Sequence, residues 1–319
     1  EERSLQVMEE SPKSVIARLS VDEIQGILFD GTYEESLREN LLQMIARRKK
    51  KKGRFGELTA FPGRKFRHIL SGRELPLASQ VLKAEQTNTS IFYENTFLLK
   101  MYRRLSEGTN PDSEITRFLS EKAGFAHVPP FAGAIEYHRK GFEPITVCQL
   151  QGFVPNQGDV WTYTVDAVRH YYEHVLSKQA EMQDVPTVGS SLYDIYYPDI
   201  PPLMQELIGG VYLEMAILLG KRTGELHLAL ASGAGDRFFE PEPFSMLYQR
   251  SLYQSMRNMS RRVLLLLGKN IRTLPEVVRD EASGILRSEP EILKLFLRIL
   301  EKKISTIKCR YHGDFHLGQ

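Results

Sequence analysis

Apolar positions change their period along this chain, and each change predicts a different element. From residue 14 to about 52 they come first as short pieces and then, across 33–47, as a helical stripe of Leu37, Leu41, Leu42 and Ile45 that ends in basic residues and Gly53. Residues 57–61, 79–84, 90–93 and 96–102 read as strands, with Asn95 as the turn residue between the last two. Strands spaced this closely predict an antiparallel meander. Asn110-Pro111-Asp112 then supplies a helix N-cap, a proline at the first helical position and an early acid, and Ile115, Phe118 and Leu119 continue a helical stripe to Gly124. Two more strands are expected at 131–137 and 145–151, before the turn-rich stretch 153–158. Helical periods dominate afterwards, at 161–183, 202–232, 244–267 and 290–304. A last apolar piece, 304–311, reads as strand-like and leads into His312-Gly313-Asp314-Phe315-His316-Leu317-Gly318-Gln319. The expectation is an α+β fold with an N-terminal antiparallel sheet lobe and a mainly helical C-terminal lobe. Its parts divide into a cap or linker (1–70), a mainly β part (71–155) and a helical part (156–319).

Composition narrows this only a little. The 319 residues carry 42 Lys plus Arg against 40 Asp plus Glu, a formal charge of +2, which gives no electrostatic reason to expect nucleic acid or an anionic membrane as partner. The local run Arg47, Arg48, Lys49, Lys50, Lys51, Lys52 reads as the solvated end of the preceding helix, with a phosphate-binding or localisation patch as the alternative. Cys148 and Cys309 sit in apolar segments without paired spacing, so neither a disulfide framework nor a zinc site is expected and a reducing cytoplasm fits. No stretch approaches the roughly 18 uninterrupted apolar residues of a membrane span. Glu1-Glu2-Arg3-Ser4 lacks the regions of a signal peptide and an initiator Met, as expected of a piece excised from something longer.

The C-terminal octet carries the chemistry. In phosphoryl transfer a carboxylate takes or orients the proton of the acceptor hydroxyl, and an amide oxygen further along the same loop ligates the magnesium that bridges nucleotide phosphates. On that reading Asp314 is the base and Gln319 a metal ligand; the plain alternative is a Gly-Asp turn beside a packing histidine. Lys100, in the last strand of the meander, and Glu114, in the following helix, match an arrangement in which a strand lysine meets nucleotide phosphates and a helix glutamate holds it. Taken singly, each is also an ordinary solvated charge. Between two strands, Glu85-Gln86-Thr87-Asn88-Thr89-Ser90 offers backbone amides with Asn88 and Ser90 side chains to phosphates, or is simply a polar hairpin loop. His227 reads as a packing residue, and Trp161, Tyr163 and Tyr171 as core aromatics that could also stack a sugar.

In these blocks the chain resembles the maltokinases, in particular the kinase domain fused to bacterial trehalose synthase. The resemblance covers nearly everything from about Leu75 onward. It rests on the 84–90 loop, on Leu99-Lys100-Met101-Tyr102-Arg103-Arg104-Leu105, on Asn110-Pro111-Asp112-Ser113-Glu114-Ile115 with Val128-Pro129-Pro130, and on three later blocks. These are the segment from Gln151 to Trp161, Thr223-Gly224-Glu225-Leu226-His227-Leu228-Ala229-Leu230, and Arg310-Tyr311 with the octet. It implies a protein-kinase-like two-lobe fold, related to aminoglycoside phosphotransferases, and transfer of phosphate from ATP to maltose to give maltose 1-phosphate with Mg2+. It makes Lys100 similar to the phosphate lysine, Glu114 to its helix partner, Asp314 to the base and Gln319 to a magnesium ligand. Gln149 to Phe153, with Gln149 and Gln151, resembles the hinge that would meet adenine. Residues 1 to about 70 resemble the variable cap joining synthase to kinase. The family continues past the octet to a second acidic motif and further helices, so the stretch ending at Gln319 is expected by itself to bind nucleotide weakly and transfer phosphate poorly. Two other readings stay open: a non-catalytic module regulating a fused trehalose synthase, and a kinase for another acceptor such as an aminoglycoside or choline. Strands followed by helices leave no room for the (β/α)₈ barrel of the synthase itself.

Overall fold

Strand-forming segments from 50 to 152 build the framework of the molecule. The computed structural model describes residues 2–22, 24–82, 88–178, 200–233 and 235–318. The chain begins with α1 (Glu2–Glu10), β1 (Val15–Val21), β2 (Ile24–Phe29), α2 (Glu35–Ala46), β3 (Lys50–Lys52), β4 (Glu57–Pro62) and α3 (Phe66–Leu70). It continues through β5 (Ser79–Leu82), β6 (Asn88–Tyr93), β7 (Phe97–Tyr102), α4 (Pro111–Glu121), β8 (Phe131–His138) and β9 (Ile145–Gly152). The helical half comprises α5 (Val160–Lys178), α6 (Pro202–Ile208), α7 (Gly210–Leu230), β10 (Glu242–Pro243), α8 (Met246–Asn270), α9 (Glu276–Arg287), α10 (Glu289–Leu297) and β11 (Ile307–Lys308). Contacts group the chain into two compact units, one of Glu1–Leu230 with Tyr311–Gln319 and one of Ala231–Arg310.

In the first unit seven antiparallel strands pair in the order β3-β4-β8-β9-β7-β6-β5. Alternation along the central strands decides their faces. Ile91, Tyr93, Phe97, Leu99, Ile135, Cys148 and Leu150 are buried in one cluster with Leu42 and Ile45 of α2 and Phe66 of α3. The Phe66 and Phe97 rings stack at 5.1 Å, and the Tyr93 hydroxyl donates to the Arg38 carbonyl at 2.7 Å. Each such side chain contributes about 1.5–3 kcal/mol by leaving water, and this cluster lies between the centre of the sheet and the helices α2 and α3. The second unit packs α8 against α9 and α10 and pairs β10 with β11.

Burial also sets the chemistry of the core thiol. Cys148 is wholly buried and its pKa is pushed up to about 12 by desolvation, while the Tyr93 phenol is likewise raised by burial. Above a thiol's ordinary 9.0 the unfolded chain releases this proton and the folded core retains it. Stability therefore falls as pH rises from about 9 toward 12. A disulfide-exchange reagent should titrate the exposed Cys309 in the native protein and Cys148 only after denaturation; equal reaction of both thiols in native buffer would contradict this assignment.

Several elements differ from their sequence reading. The basic run is not a helix end throughout: α2 stops at Ala46, Arg48 takes a left-handed φ of 52°, and Lys50–Lys52 form β3, paired with β4 at the edge of the sheet. Lysines on an edge strand discourage pairing with another chain, which is the physical sense of that run. Residues 50–62, from the segment read as a cap, thus supply two strands of the main sheet. The single helix expected at 202–232 is two, bent by 89° at Gly209, whose φ of 93° a residue with a Cβ rarely adopts. The strand-like run before the octet reduces to Ile307–Lys308, and α10 gives way at Arg298 to one 3-10 turn. The hairpin of β1 and β2 escaped the sequence reading because Ile16 and Ile24 are exposed, so no buried face marks the alternation. Residues 179–183 of the expected third-quarter helix and Glu85, Gln86 and Thr87 of the polar loop lie outside the described residues. Among the described residues no single helix is long and apolar enough to cross a membrane.

Candidate active site

The face of the sheet turned away from the apolar core is polar at its centre. Register places Ser90 of β6 opposite Lys100 of β7, and Lys100 opposite Gln149 of β9. One step along, Asn88 faces Tyr102, and one step the other way Leu98 faces Gln151. Because side chains alternate with period two, Asn88, Ser90, Lys100, Gln149 and Gln151 share one face. These five residues, singled out from sequence, are therefore brought into one row and its flanks, and Tyr102 joins them.

Helix α4 brings carboxylates to that row. Asn110 caps it, its side chain accepting from the Asp112 N–H at 3.0 Å, Pro111 takes the first turn, and Ile115, Phe118 and Leu119 bury its inner stripe. The Asn110 N–H donates to Thr146 Oγ1 of β9 at 3.0 Å, which ties the start of the helix to the sheet. Asp112 is consequently aimed at the row, and its Oδ2 lies 3.6 Å from Lys100 Nζ, both side chains about a third or less exposed. Glu114, the carboxylate expected to hold the lysine, sits one position past the buried Ser113 in the same turn and is half-buried. The described ion pair of Lys100 is with Asp112.

Behind this pair the polar groups are buried. Tyr102 Oη lies 3.2 Å from Asp112 Oδ2 and 3.1 Å from Gln149 Oε1, and Gln149 Nε2 donates to Gln151 Oε1 at 3.4 Å. Gln149 is wholly buried and Gln151 nearly so, so the amides expected to meet adenine are engaged with one another and with Tyr102. At the end of β9 the Gly152 N–H donates to Pro130 O and the Phe153 N–H to Thr96 O. Ser90 Oγ is buried without a hydrogen-bond partner among the described residues. A hydroxyl in that position, beside a lysine, is suited to an anionic oxygen.

Asp314 lies on the octet loop. Gly313 has φ 82°, the left-handed turn that glycine permits, and it presents Asp314 exposed at the loop's surface. The His312 ring packs edge-on against Phe315 at 5.9 Å, and the Gly318 N–H donates to His316 Nδ1 at 3.1 Å. The loop is tied to the start of α5, where the Trp161 N–H donates to Leu317 O at 2.8 Å and Asp159 accepts from the Thr162 N–H at 2.7 Å. That backbone hydrogen bond holds the Asp159 carboxyl below its ordinary range. Trp161 is exposed and Tyr163 packs on Tyr212 at 5.8 Å, so the aromatics of α5 are not core residues in this unit. Among the described residues no hydrogen bond or ion pair joins Asp314 to Lys100 or Asp112, and Gln319 lies outside the described residues. Sequence reasoning overlooked Tyr102 and gave Asp112 only a helix-starting role; the signal for both was spacing, two residues after Lys100 and two before Glu114.

Solved structures of glucosamine kinase are similar to this chain. One, in complex with glucosamine, ADP and inorganic phosphate, is 18% identical with a TM-score of 0.52, over 96% of this chain and 63% of that one. Another crystal form is 19% identical with a TM-score of 0.54, over 94% of this chain and 56% of that one. The chain therefore spans roughly three-fifths of the length of the structures it matches. No family model matches it. The likeness shows the fold: the α+β class expected from the order of strands and helices, in the kinase-like form that the maltokinase resemblance implied, is the one this chain has.

Proposed function

We propose that this chain forms the nucleotide-binding sheet and catalytic loop of an ATP-dependent sugar kinase. The observation that carries the reading is the Lys100–Asp112 ion pair on a polar sheet face beside the unpartnered Ser90 hydroxyl. Residues 71–155 are assigned to nucleotide and 156–319 to the acceptor side. Lys100, held by a carboxylate of α4, takes the nucleotide phosphates, and Asn88 and Ser90 donate to them from the neighbouring strand. Asp314, exposed on a turn fixed by Gly313, accepts the proton of the attacking sugar hydroxyl.

Among the described residues no group of three or more His, Cys, Asp or Glu forms a ready-made metal cage. Magnesium bound with a nucleotide takes only one or two protein oxygens, the rest being phosphate and water, so an amide at Gln319 with the Asp314 carboxylate nearby in sequence fits it. Its chemistry there would be to neutralise charge on the phosphate oxygens.

For the acceptor, the maltokinase resemblance favours the anomeric hydroxyl of maltose, in a parent protein that carries a trehalose synthase domain. The glucosamine kinase likeness favours glucosamine as the second reading. Dependence on ATP, together with the two free cysteines, supports a cytoplasmic setting. The test is phosphorus NMR of the full-length protein incubated with magnesium ATP and each sugar. Maltose 1-phosphate is the expected product; glucosamine phosphate in its place would reassign the acceptor. A folded, nucleotide-binding protein that phosphorylates neither would point to a non-catalytic module regulating its fused enzyme.

A further inference from the structure

We propose that Tyr102 and Gln149 form a buried brace that holds Asp112, and through it Lys100, so that the phosphate-facing lysine is positioned from the sheet as well as from helix α4. This rests on the nucleotide-binding reading of Lys100 given above. The brace follows from counting protons. Tyr102 has one phenolic proton and lies within reach of two oxygens, Asp112 Oδ2 at 3.2 Å and Gln149 Oε1 at 3.1 Å. A carboxylate is the stronger acceptor, and an amide can turn over to present its NH₂ where its oxygen stood. With Gln149 and Gln151 both turned, every group is satisfied in one direction: Gln151 Nε2 donates to Gln149 Oε1, Gln149 Nε2 to Tyr102 Oη, and Tyr102 Oη to Asp112 Oδ2. The chain of bonds ends on the oxygen that faces Lys100 Nζ.

Such an arrangement is costly unless it positions something. Gln149 is wholly buried, Tyr102 7% exposed and Gln151 8%, at places where apolar side chains would fill the space without any polar group to satisfy. Buried, fully satisfied networks of this kind fix geometry. A second tie acts on the same turn, where Asn110 is anchored to Thr146 of β9 and caps the Asp112 N–H. Helix α4 is thus attached at its first turn by two independent polar links, one through the backbone of its cap and one through the carboxylate of Asp112. In protein kinases the corresponding helix can swing and break its pairing with the lysine. Here the carboxylate is held to the strand that carries the lysine, and the pairing is built in.

The experiment uses the full-length protein and variants Tyr102→Phe, Asp112→Asn, Glu114→Gln and Gln149→Met, with two readouts. The first is the rate of Lys100 acetylation by an N-hydroxysuccinimide ester, followed by peptide mass spectrometry, which requires no kinase activity. Losing the carboxylate or its brace removes the oxygen that shields the amine at 3.6 Å, so acetylation should accelerate several-fold in Asp112→Asn and Tyr102→Phe, and less in Glu114→Gln. The second is kinetic: in Tyr102→Phe, loss of a hydrogen bond to a charged group should lower kcat/KM for ATP roughly tenfold, with KM for the sugar little changed and the melting temperature somewhat lowered, because the buried Gln149 amide loses its partner. Tyr102→Phe preserves ring volume, so it tests the brace even where Gln149→Met fails to fold. Unchanged acetylation of Lys100 in Tyr102→Phe, or a larger effect from Glu114→Gln than from Asp112→Asn, overturns the brace. Absence of phosphate transfer by the parent protein bears on the kinase reading alone and leaves the acetylation result to decide the positioning.

Discussion

Replacing Asp314 by Asn in the full-length protein should lower kcat for phosphate transfer by about a thousandfold, within the range lost when a positioned general base is removed. The substitution is close to isosteric, so it tests chemistry and not shape. Asp314 is exposed, and the turn that presents it is set by Gly313 and by the bond from Trp161 N–H to Leu317 O, neither of which involves its carboxylate. Stability should accordingly move by less than about 0.5 kcal/mol, as expected of a surface change away from packing and networks. The KM for ATP should change little, because on this reading the carboxylate acts on the acceptor hydroxyl and the phosphates are held by Lys100 and its strand neighbours. Stopped-flow or coupled measurement of ADP release, beside thermal melts, separates these quantities. A variant with the parent kcat would remove Asp314 from the chemistry; one with a raised KM for ATP and normal kcat would make it a nucleotide contact.

The sheet was legible from the sequence because its central strands alternate cleanly between buried and polar positions. Ile91, Leu99 and Leu150 mark the core face, while Ser90, Lys100 and Gln149 mark the other. Helix α4 was equally legible, since its cap, its proline and its apolar stripe agree. What escaped was tertiary pairing. Nothing in the spacing of Asp112 and Glu114 says which reaches Lys100, because both lie in one helical turn and the choice is made by the anchoring of Asn110 on Thr146, 36 residues away. Edge elements escaped for a different reason. β3 is three lysines and β1 and β2 expose their larger apolar residues, so hydrophobic periodicity has nothing to report there. The two-residue pairing of β11 with β10 is likewise too short to leave a pattern.

Lys100→Met should reduce kcat/KM for ATP roughly ten- to a hundredfold, since one hydrogen bond to a charged group contributes about 1.5–3 kcal/mol. Methionine preserves the unbranched stem that lies along the sheet and removes only the cation. The folded state should lose little: Lys100 and Asp112 are each partly exposed, so their pairing is screened and its contribution is no more than about 1 kcal/mol. The Asp112 carboxylate keeps the Tyr102 hydroxyl and is not left bare. The split between binding and rate then discriminates between two roles. If the lysine only holds the nucleotide, calorimetric affinity for ATP falls by the same factor as kcat/KM and kcat survives at saturating ATP. If it also stabilises charge on the transferring phosphoryl group, kcat falls beyond what affinity explains, because that interaction is stronger in the transition state than in the ground state. Unaltered ATP affinity and turnover in Lys100→Met would mean that the polar row of the sheet does not face the nucleotide, and the ion pair with Asp112 would then be a structural link between β7 and α4.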